Sequence, residues 1–186
     1  MPLHRSHGRL RFDSNPEDKP DRADERAIEL AAVRLLTGRE LSAGDVRRKL
    51  ETQGFDPVAL EAVIMRLAER GMISDNRFVD SFIRQHSQRG QGPDRIRAEL
   101  RQRGVASEVI EEHLRTAEVD WDSLAAQVRA RKFRASPSNR SERAKQSRFL
   151  QYRGFTSAQI RVAMGKPSPA STVVIDLADD AADIDP

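Results

Sequence analysis

The chain has 186 residues, of which 38% are hydrophobic and 33% are charged, and its formal net charge is +3 at pH 7. It contains no cysteine, which excludes disulfides, thiolate metal sites and a cysteine nucleophile. No apolar run approaches the roughly 20 residues that cross a bilayer, and residues 1–25 are too polar for a secretory signal. These features predict a soluble cytoplasmic protein that makes no membrane contact.

Two segments precede the middle of the chain. Residues 1–23 form a polar arm without helical periodicity, which we expect to be disordered. The next segment, residues 24–74, opens with an amphipathic stripe from Ala27 to Leu36. Its last helix is predicted to begin at Asp56-Pro57, because aspartate caps a helix and proline fits the first turn.

Two further helical segments and a tail follow. The segment 75–117 begins a helix at Asp75 and a second one near Pro93. The segment 118–166 opens at Trp121 and has a longer break between its first two helices. Residues 167–186 contain five aspartates and no base, and we predict an acidic, disordered tail.

One short pattern recurs in these segments at intervals of fifty residues. Each copy has a leucine, a glycine four residues later and then an apolar residue: Leu50, Gly54 and Phe55; Leu100, Gly104 and Val105; Leu150, Gly154 and Phe155. More apolar residues follow each leucine by ten and fourteen positions: Leu60 and Ile64; Ile110 and Leu114; Ile160 and Met164. Each glycine is expected just past a helix C-terminus. The pattern predicts an all-α protein of three tandem three-helix repeats.

Positive charge is concentrated in the third repeat. Residues 118–166 carry eleven Arg or Lys against four acids, and residues 129–153 carry nine against the single acid Glu142. Such a run repels itself unless something negative is near, which favours an anionic partner. In the same repeat Gln146 interrupts the apolar column formed by Val46 and Ile96.

The sequence does not favour catalysis. His4 and His7 lie in the polar arm, His86 stands alone near a loop, and His113 occupies the column of Val63 and Ala163. No two histidines have metal-ligand spacing with an acid on the same face, and no glycine-rich loop carries the Lys and Ser or Thr of a phosphate loop. We predict no enzymatic activity, no metal and no cofactor.

Several stretches resemble the bacterial RecX regulatory proteins. The central signature lies in residues 77–84 (RFVDSFIR) and 89–100 (RGQGPDRIRAEL). Residues 39–42 (RELS) with 48–50 (RKL), and 144–155 (AKQSRFLQYRGF), agree with that family in order and spacing. The resemblance covers about residues 26–166 and therefore includes all three repeats.

The resemblance implies a fold and a partner. RecX-like proteins are tandem three-helix repeats that form an elongated, curved, right-handed molecule. They bind the RecA recombinase filament in its helical groove and restrain its assembly, ATP hydrolysis and strand exchange, which modulates recombination and DNA repair. A monomer that spans successive RecA protomers would gain avidity from its repeats. Three short helices with a glycine turn are also the outline of helix-turn-helix modules, so DNA, single- or double-stranded, is the alternative partner.

The candidate contact residues are basic side chains on the predicted solvent faces, together with one tyrosine: Arg47, Arg48, Lys49, Arg89, Arg95, Arg97, Arg101, Arg103, Arg131, Lys132, Arg140, Arg143, Lys145, Arg148, Tyr152 and Arg153. Such cations suit the carboxylates of a RecA surface or the phosphates of DNA. Alternatively they are solvated charges that pair with acids such as Glu51 and Glu99.

Aromatic side chains allow a second test of these alternatives, because single strands stack their bases on aromatic faces. Phe55, Phe78, Phe82 and Phe155 lie in core columns and are predicted to pack. Phe133, Phe149 and Tyr152 lie among the basic residues of the third repeat. Tyr152 is the exception most suited to binding, because its column holds Thr52 and Gln102 in the other repeats.

The acidic tail has two interpretations, a solvated terminus or a competitor that folds back on the basic third repeat. The competitor interpretation predicts that deletion of residues 167–186 tightens binding to DNA or to the filament at low salt, because an internal anion is removed. Binding titrations of the full and truncated chains at low and high salt measure this. Equal affinity of the two chains would leave the tail as a solvated terminus.

Overall fold

The computed structural model describes residues 22–165. Its regular secondary structure there is helical throughout: α1 (Glu25–Leu36), α2 (Ala43–Thr52), α3 (Pro57–Glu69), α4 (Asp75–Gln88), α5 (Pro93–Gln102), α6 (Ser107–Thr116), α7 (Trp121–Lys132), α8 (Arg140–Tyr152) and α9 (Ser157–Ala163). The predicted all-α class is confirmed. The acidic tail and nearly all of the polar arm lie outside the described residues.

The described residues divide into two compact units. The first comprises residues 22–39 and 45–73, with α1, α3 and most of α2. The second comprises residues 40–44 and 74–165, with helices α4 to α9. None of the helices between residues 22 and 165 combines the length and the apolar character that a bilayer crossing requires.

A side-chain cap begins α3 where the sequence predicts it, and another begins α8. Asp56 accepts hydrogen bonds from the backbone N–H groups of Val58 and Ala59, and Pro57 is the first residue of α3. Asn139 accepts from Glu142 N at 2.9 Å at the start of α8. These oxygens satisfy N–H groups that have no partner inside the helix.

The fifty-residue columns form the cores of the repeats. Leu50, Leu100 and Leu150 are completely buried. The positions ten and fourteen residues further on are buried as well: Leu60, Ile64, Ile110, Leu114, Ile160 and Met164. Burying an apolar side chain of this size stabilises a fold by about 1.5–3 kcal/mol, so these columns supply much of the driving force of each repeat.

The second unit contains two apolar clusters, one from α4, α5 and α6 and one from α7, α8 and α9. Trp121 lies at the start of α7 but packs against the preceding repeat. Its side chain packs against the cluster of α4 to α6, whereas Leu124 packs against the cluster of α7 to α9. The reason is its position as the first residue of α7, next to the connection from α6.

Gln146 is buried in the column that Val46 and Ile96 fill with apolar side chains. Its Nε2 donates to the Ala135 carbonyl at 3.3 Å, and its Oε1 accepts from Arg129 Nη1 at 3.3 Å. A buried amide needs such partners to offset its desolvation. Gln146 therefore anchors the longer break between α7 and α8 to helix α8.

Helix α5 begins against the turn that ends α8. The N–H of Gly92 donates to the Arg153 carbonyl at 2.8 Å, and the N–H of Asp94 donates to the Gly154 carbonyl at 2.9 Å. No side chain caps α5, so these carbonyls take that role. Two helix ends thus satisfy each other's unpaired backbone groups, and their opposite partial charges are brought together.

An equivalent contact occurs in the second unit between residues that lie fifty positions earlier in the chain. Ser42, which is equivalent to Gly92, donates its Oγ to the carbonyl of Arg103, which is equivalent to Arg153, at 2.8 Å. The backbones approach closely at both places, because a Cβ on Gly44 would lie 2.3 Å from Arg103 O and one on Gly92 would lie 2.3 Å from Gly154 O. Only glycine permits these contacts without displacement.

We predict that Gly154→Ala destabilises the protein more than Gly54→Ala does. Both glycines have positive φ, 87° and 90°, so alanine costs about 1–2 kcal/mol at either position. At Gly154 the new Cβ would also lie 2.5 Å from Arg95 N, whereas at Gly54 it would meet nothing within 4 Å. Urea unfolding should therefore show a further loss of about 1–3 kcal/mol for Gly154→Ala. Equal losses in the two variants would contradict this role of the turn.

Candidate functional site

The predicted contact residues of α2 are engaged in ion pairs within the first unit. Arg47 donates to both carboxylate oxygens of Glu61, with Nη2 to Oε2 at 2.8 Å, and Arg48 pairs with Asp45. The Arg47 guanidinium lowers the pKa of the Glu61 carboxyl below its ordinary value through this hydrogen bond. Lys49 is exposed on the same helix.

An equivalent fork lies in the second repeat, inside the second unit. Arg97 Nε donates to Glu111 Oε1 at 2.6 Å, and its Nη2 donates to Oε2 at 3.1 Å. Arg101 approaches the same carboxylate at 3.5 Å, and Arg95 pairs with Glu99 at 2.8 Å. The second repeat therefore compensates most of its cations internally, as the interpretation of these residues as solvated, paired charges predicts.

The third repeat lacks this fork. The columns of Arg47 and Glu61, and of Arg97 and Glu111, hold Ser147 and Arg161 there. The cation Arg161 thus stands where the other repeats have the accepting carboxylate, and the hydroxyl of Ser147 stands where they have the donating guanidinium. Arg161 was not among the predicted contact residues, although a comparison of the three repeats column by column would have found it.

Most predicted contact residues of the third repeat have no carboxylate partner in the described part of the chain. Arg131, Lys132, Arg140 and Arg148 are exposed and make no ion pair within residues 22–165, whereas the exposed Lys145 interacts electrostatically with Glu142. Two others donate to backbone carbonyls at the ends of α9 and α4: Arg143 to Gly165 O at 3.2 Å and Arg153 to Arg89 O at 3.3 Å.

The only acid of the run, Glu142, is engaged locally. It accepts hydrogen bonds from the backbone N–H and the Oγ of Ser138, at 2.8 and 2.9 Å. These bonds lower the pKa of the Glu142 carboxyl, the backbone bond most strongly. Glu142 is therefore an anion that caps the connection before α8, and it leaves the cations around it largely uncompensated.

The aromatic side chains separate into packed and exposed groups. Phe78, Phe82 and Phe155 are buried, as predicted, whereas Phe55 is only half-buried. Phe133 packs edge-on against Phe149 with ring centroids 5.4 Å apart. Tyr152 is 77% exposed, with the guanidinium of Arg95 5.9 Å from its ring centroid.

Besides Arg95, two more of the predicted contact arginines stack on aromatic rings of the second unit. The guanidinium carbon of Arg103 lies 5.2 Å from the Phe82 centroid, and that of Arg153 lies 5.4 Å from the Phe149 centroid. Such stacking stabilises a cation by about 0.5–1 kcal/mol at exposed sites and holds its side chain in place.

The histidines have structural surroundings. His86 is buried, stacks on Phe82 with ring centroids 3.7 Å apart, and its Nδ1 lies 3.5 Å from Glu99 Oε2. His113 lies 2.6 Å from Asp80 and joins α6 to α4. Between residues 22 and 165, no cluster of three His, Asp or Glu side chains is positioned to hold a metal ion.

The chain is similar to known proteins that carry the name Regulatory protein RecX. The chain is 47% identical over 142 residues to the Regulatory protein RecX of Halorhodospira halophila, covering 76% of this chain and 88% of that protein. It is 45% identical over 130 residues to the Regulatory protein RecX of Pseudomonas putida strain GB-1, covering 69% and 83%.

The chain belongs to the RecX family. The family model for "RecX, second three-helix domain" matches residues 74–114, and the family model for "RecX, third three-helix domain" matches residues 118–164. The basic run thus lies in the third three-helix domain of this RecX protein.

Solved RecX structures have the same fold. The crystal structure of RecX from Lactobacillus salivarius superposes with a TM-score of 0.66 at 18% identity, covering 76% of this chain and 94% of that one. A second crystal structure of a regulatory protein RecX gives a TM-score of 0.63 at 23% identity, covering 74% and 70%.

The ion-paired fork of the second repeat predicts a small, pH-dependent contribution to stability. The Arg97 hydrogen bond lowers the pKa of Glu111 below its ordinary value of 4.5, so the contribution is full above that value and is lost as the pH falls through the pKa of the folded state. Because both side chains are partly exposed, Glu111→Gln should cost less than about 1 kcal/mol at neutral pH, and the cost should shrink as the pH falls below 4.5. Thermal melts at a series of pH values from neutral downwards measure this.

Glu108→Gln is the matched control for that experiment. Glu108 is exposed on the same helix and makes no ion pair among the described residues. If Glu108→Gln lowered the melting temperature as much as Glu111→Gln at neutral pH, the effect would come from the charge of the helix and not from the fork.

Proposed function

We propose that this RecX-family protein binds the RecA nucleoprotein filament and restrains filament assembly, ATP hydrolysis and strand exchange. Sequence similarity is the observation that supports this proposal most strongly, since the chain is 47% identical to a Regulatory protein RecX over 76% of its length. The chain resembles that family in the central signature of residues 77–84 and 89–100 and in all three repeats.

In the proposed mechanism the protein acts by occupying binding surfaces on the RecA filament and makes or breaks no covalent bond. Equivalent helices recur at a fifty-residue register, so a filament of identical protomers can meet equivalent side chains more than once. Several weak contacts joined in one chain bind with an avidity that no single contact reaches. In this proposal the protein is a cytoplasmic monomer, catalyses no reaction and needs no cofactor.

The ion-paired forks suggest which repeat makes the strongest electrostatic contact with a partner. Arg47 and Arg97 already bind carboxylates, and a partner must compete with Glu61 and Glu111 for them. Within residues 22–165, Glu142 interacts with Lys145, and most other cations of the third repeat have no such competitor. We therefore assign the stronger electrostatic contact with the filament to the third repeat.

A second candidate function is a basic DNA-binding module that affects RecA only by competing for DNA. The uncompensated run of residues 129–153 favours it, because phosphates are the most common dense source of negative charge that such a run meets. The two candidates differ in what must be saturated before RecA is inhibited.

We expect the protein to inhibit ATP hydrolysis by RecA on single-stranded DNA at concentrations well below those that coat the same DNA without RecA. A filament binder acts on RecA protomers, so its inhibition does not require saturated DNA. The measurement titrates the protein against RecA ATP hydrolysis and, in parallel, against labelled DNA alone. Inhibition that begins only when the bare DNA is saturated would establish the DNA competitor instead.

A further inference from the structure

A hollow of about 240 Å³ opens in the second unit between the end of α4 and helices α7 and α8. Its apolar floor is formed by Gly90, Val128 and Phe149, and the cations Arg89, Arg131, Lys132 and Arg153 line it. Gly90 is needed for this geometry, because a Cβ there would lie 2.8 Å from Val128 Cγ2. Among residues 22–165, no acidic residue lines this hollow.

Its charge is that of a receptor for anions. Arg131 and Lys132 lie in the last turn of α7, where the helix dipole favours cations in the absence of a carboxylate. Arg153 is held by its bond to Arg89 O and by the Phe149 ring, so its guanidinium is positioned before a ligand arrives. A positioned cation loses less conformational entropy on binding than a mobile one.

A second hollow, of about 310 Å³, adjoins the first and shares Lys132 with it. Arg134 and Lys145 also line it. Glu142 lines it as well and accepts a hydrogen bond from the backbone N–H of Ser138. Each hollow contains one aromatic ring, Phe149 in the first and Phe133 in the second, and the two rings touch edge to face. Together the two hollows form what we term the basic groove.

We propose that the basic groove binds the sugar-phosphate backbone of a single DNA strand, with successive phosphates in the two hollows. A strand carries one charge per nucleotide at regular intervals and offers a base face beside each, which matches cations repeated along a groove with a ring in each hollow. An isolated carboxylate would need only one hollow. This inference rests on the proposed function, since it names the ligand of the same basic repeat, but its test needs no RecA.

The test is the double variant Arg131→Gln/Lys132→Gln, in which both changed side chains are exposed. Its affinity for a labelled single-stranded oligonucleotide of mixed sequence is measured by fluorescence anisotropy over a range of salt concentrations. We expect the dissociation constant to rise roughly tenfold at low salt and the slope of log affinity against log salt to fall by about 1.4, because two phosphate contacts are lost.

The matched control is Arg26→Gln/Arg34→Gln, which removes the same charge from exposed positions of α1 in the first unit. The control should bind the strand with the affinity and salt slope of the unchanged protein, and circular dichroism should show all three proteins equally helical. Equal weakening in both double variants would overturn the proposal, because only net charge would then matter. Unchanged DNA binding by the groove variant would also overturn it.

Parallel titration of RecA ATP hydrolysis separates this inference from the proposed function. If the unchanged protein inhibits RecA while the groove variant binds bare DNA normally, the groove assignment fails and the proposed function stands. If the groove variant loses DNA affinity while the unchanged protein has no effect on RecA, the groove stands and the proposed function fails. A groove variant that binds DNA normally but loses binding to DNA-free RecA would assign the groove to protein carboxylates and overturn the proposal.

Discussion

The second unit depends on helix ends that satisfy each other across neighbouring repeats. Helix α5 has no side-chain cap, and carbonyls of the turn after α8 accept from its first N–H groups. The contact is made backbone to backbone, so it needs Gly92 on one side and Gly154 on the other. It joins two apolar clusters that are each small, and small clusters alone stabilise a fold only marginally. The position of Arg89 relative to Arg153, and thus the basic groove, follows from this contact.

The repeats have equivalent buried columns but differ in how the charges on their surfaces are paired. The columns that hold an arginine and a glutamate in the first two repeats hold a serine and an arginine in the third. Where the fork is present, the cation has a carboxylate at 2.8 Å or less. Where it is absent, the cations lie exposed on α7 and α8 among the described residues. One scaffold thus carries surfaces whose charges are paired and one whose charges are largely unpaired, and a field of the second kind is the one suited to a polyanion.

The proposed binding surface is only partly predictable from the sequence. The run of residues 129–153 identified the region, and the column of Tyr152 identified an exposed ring. Two features could not be found in this way. Arg97 and Glu111 lie fourteen residues apart on different helices, so their pairing depends on how α5 packs against α6. Arg89 and Arg131 line one hollow only because the turn after α4 meets α7 at Gly90.

The sequence alone determined the helical class, the fifty-residue register, the buried columns of Leu50, Leu100 and Leu150, and the positive third repeat, because periodicity and composition are local properties of a chain. It also determined kinship with RecX proteins through local signatures. Tertiary structure decided which arginines are paired, why Gly92 and Gly154 cannot carry a side chain, and which cations share a hollow. Each of these depends on the distance between residues that are remote in sequence, and that distance is set by helix packing.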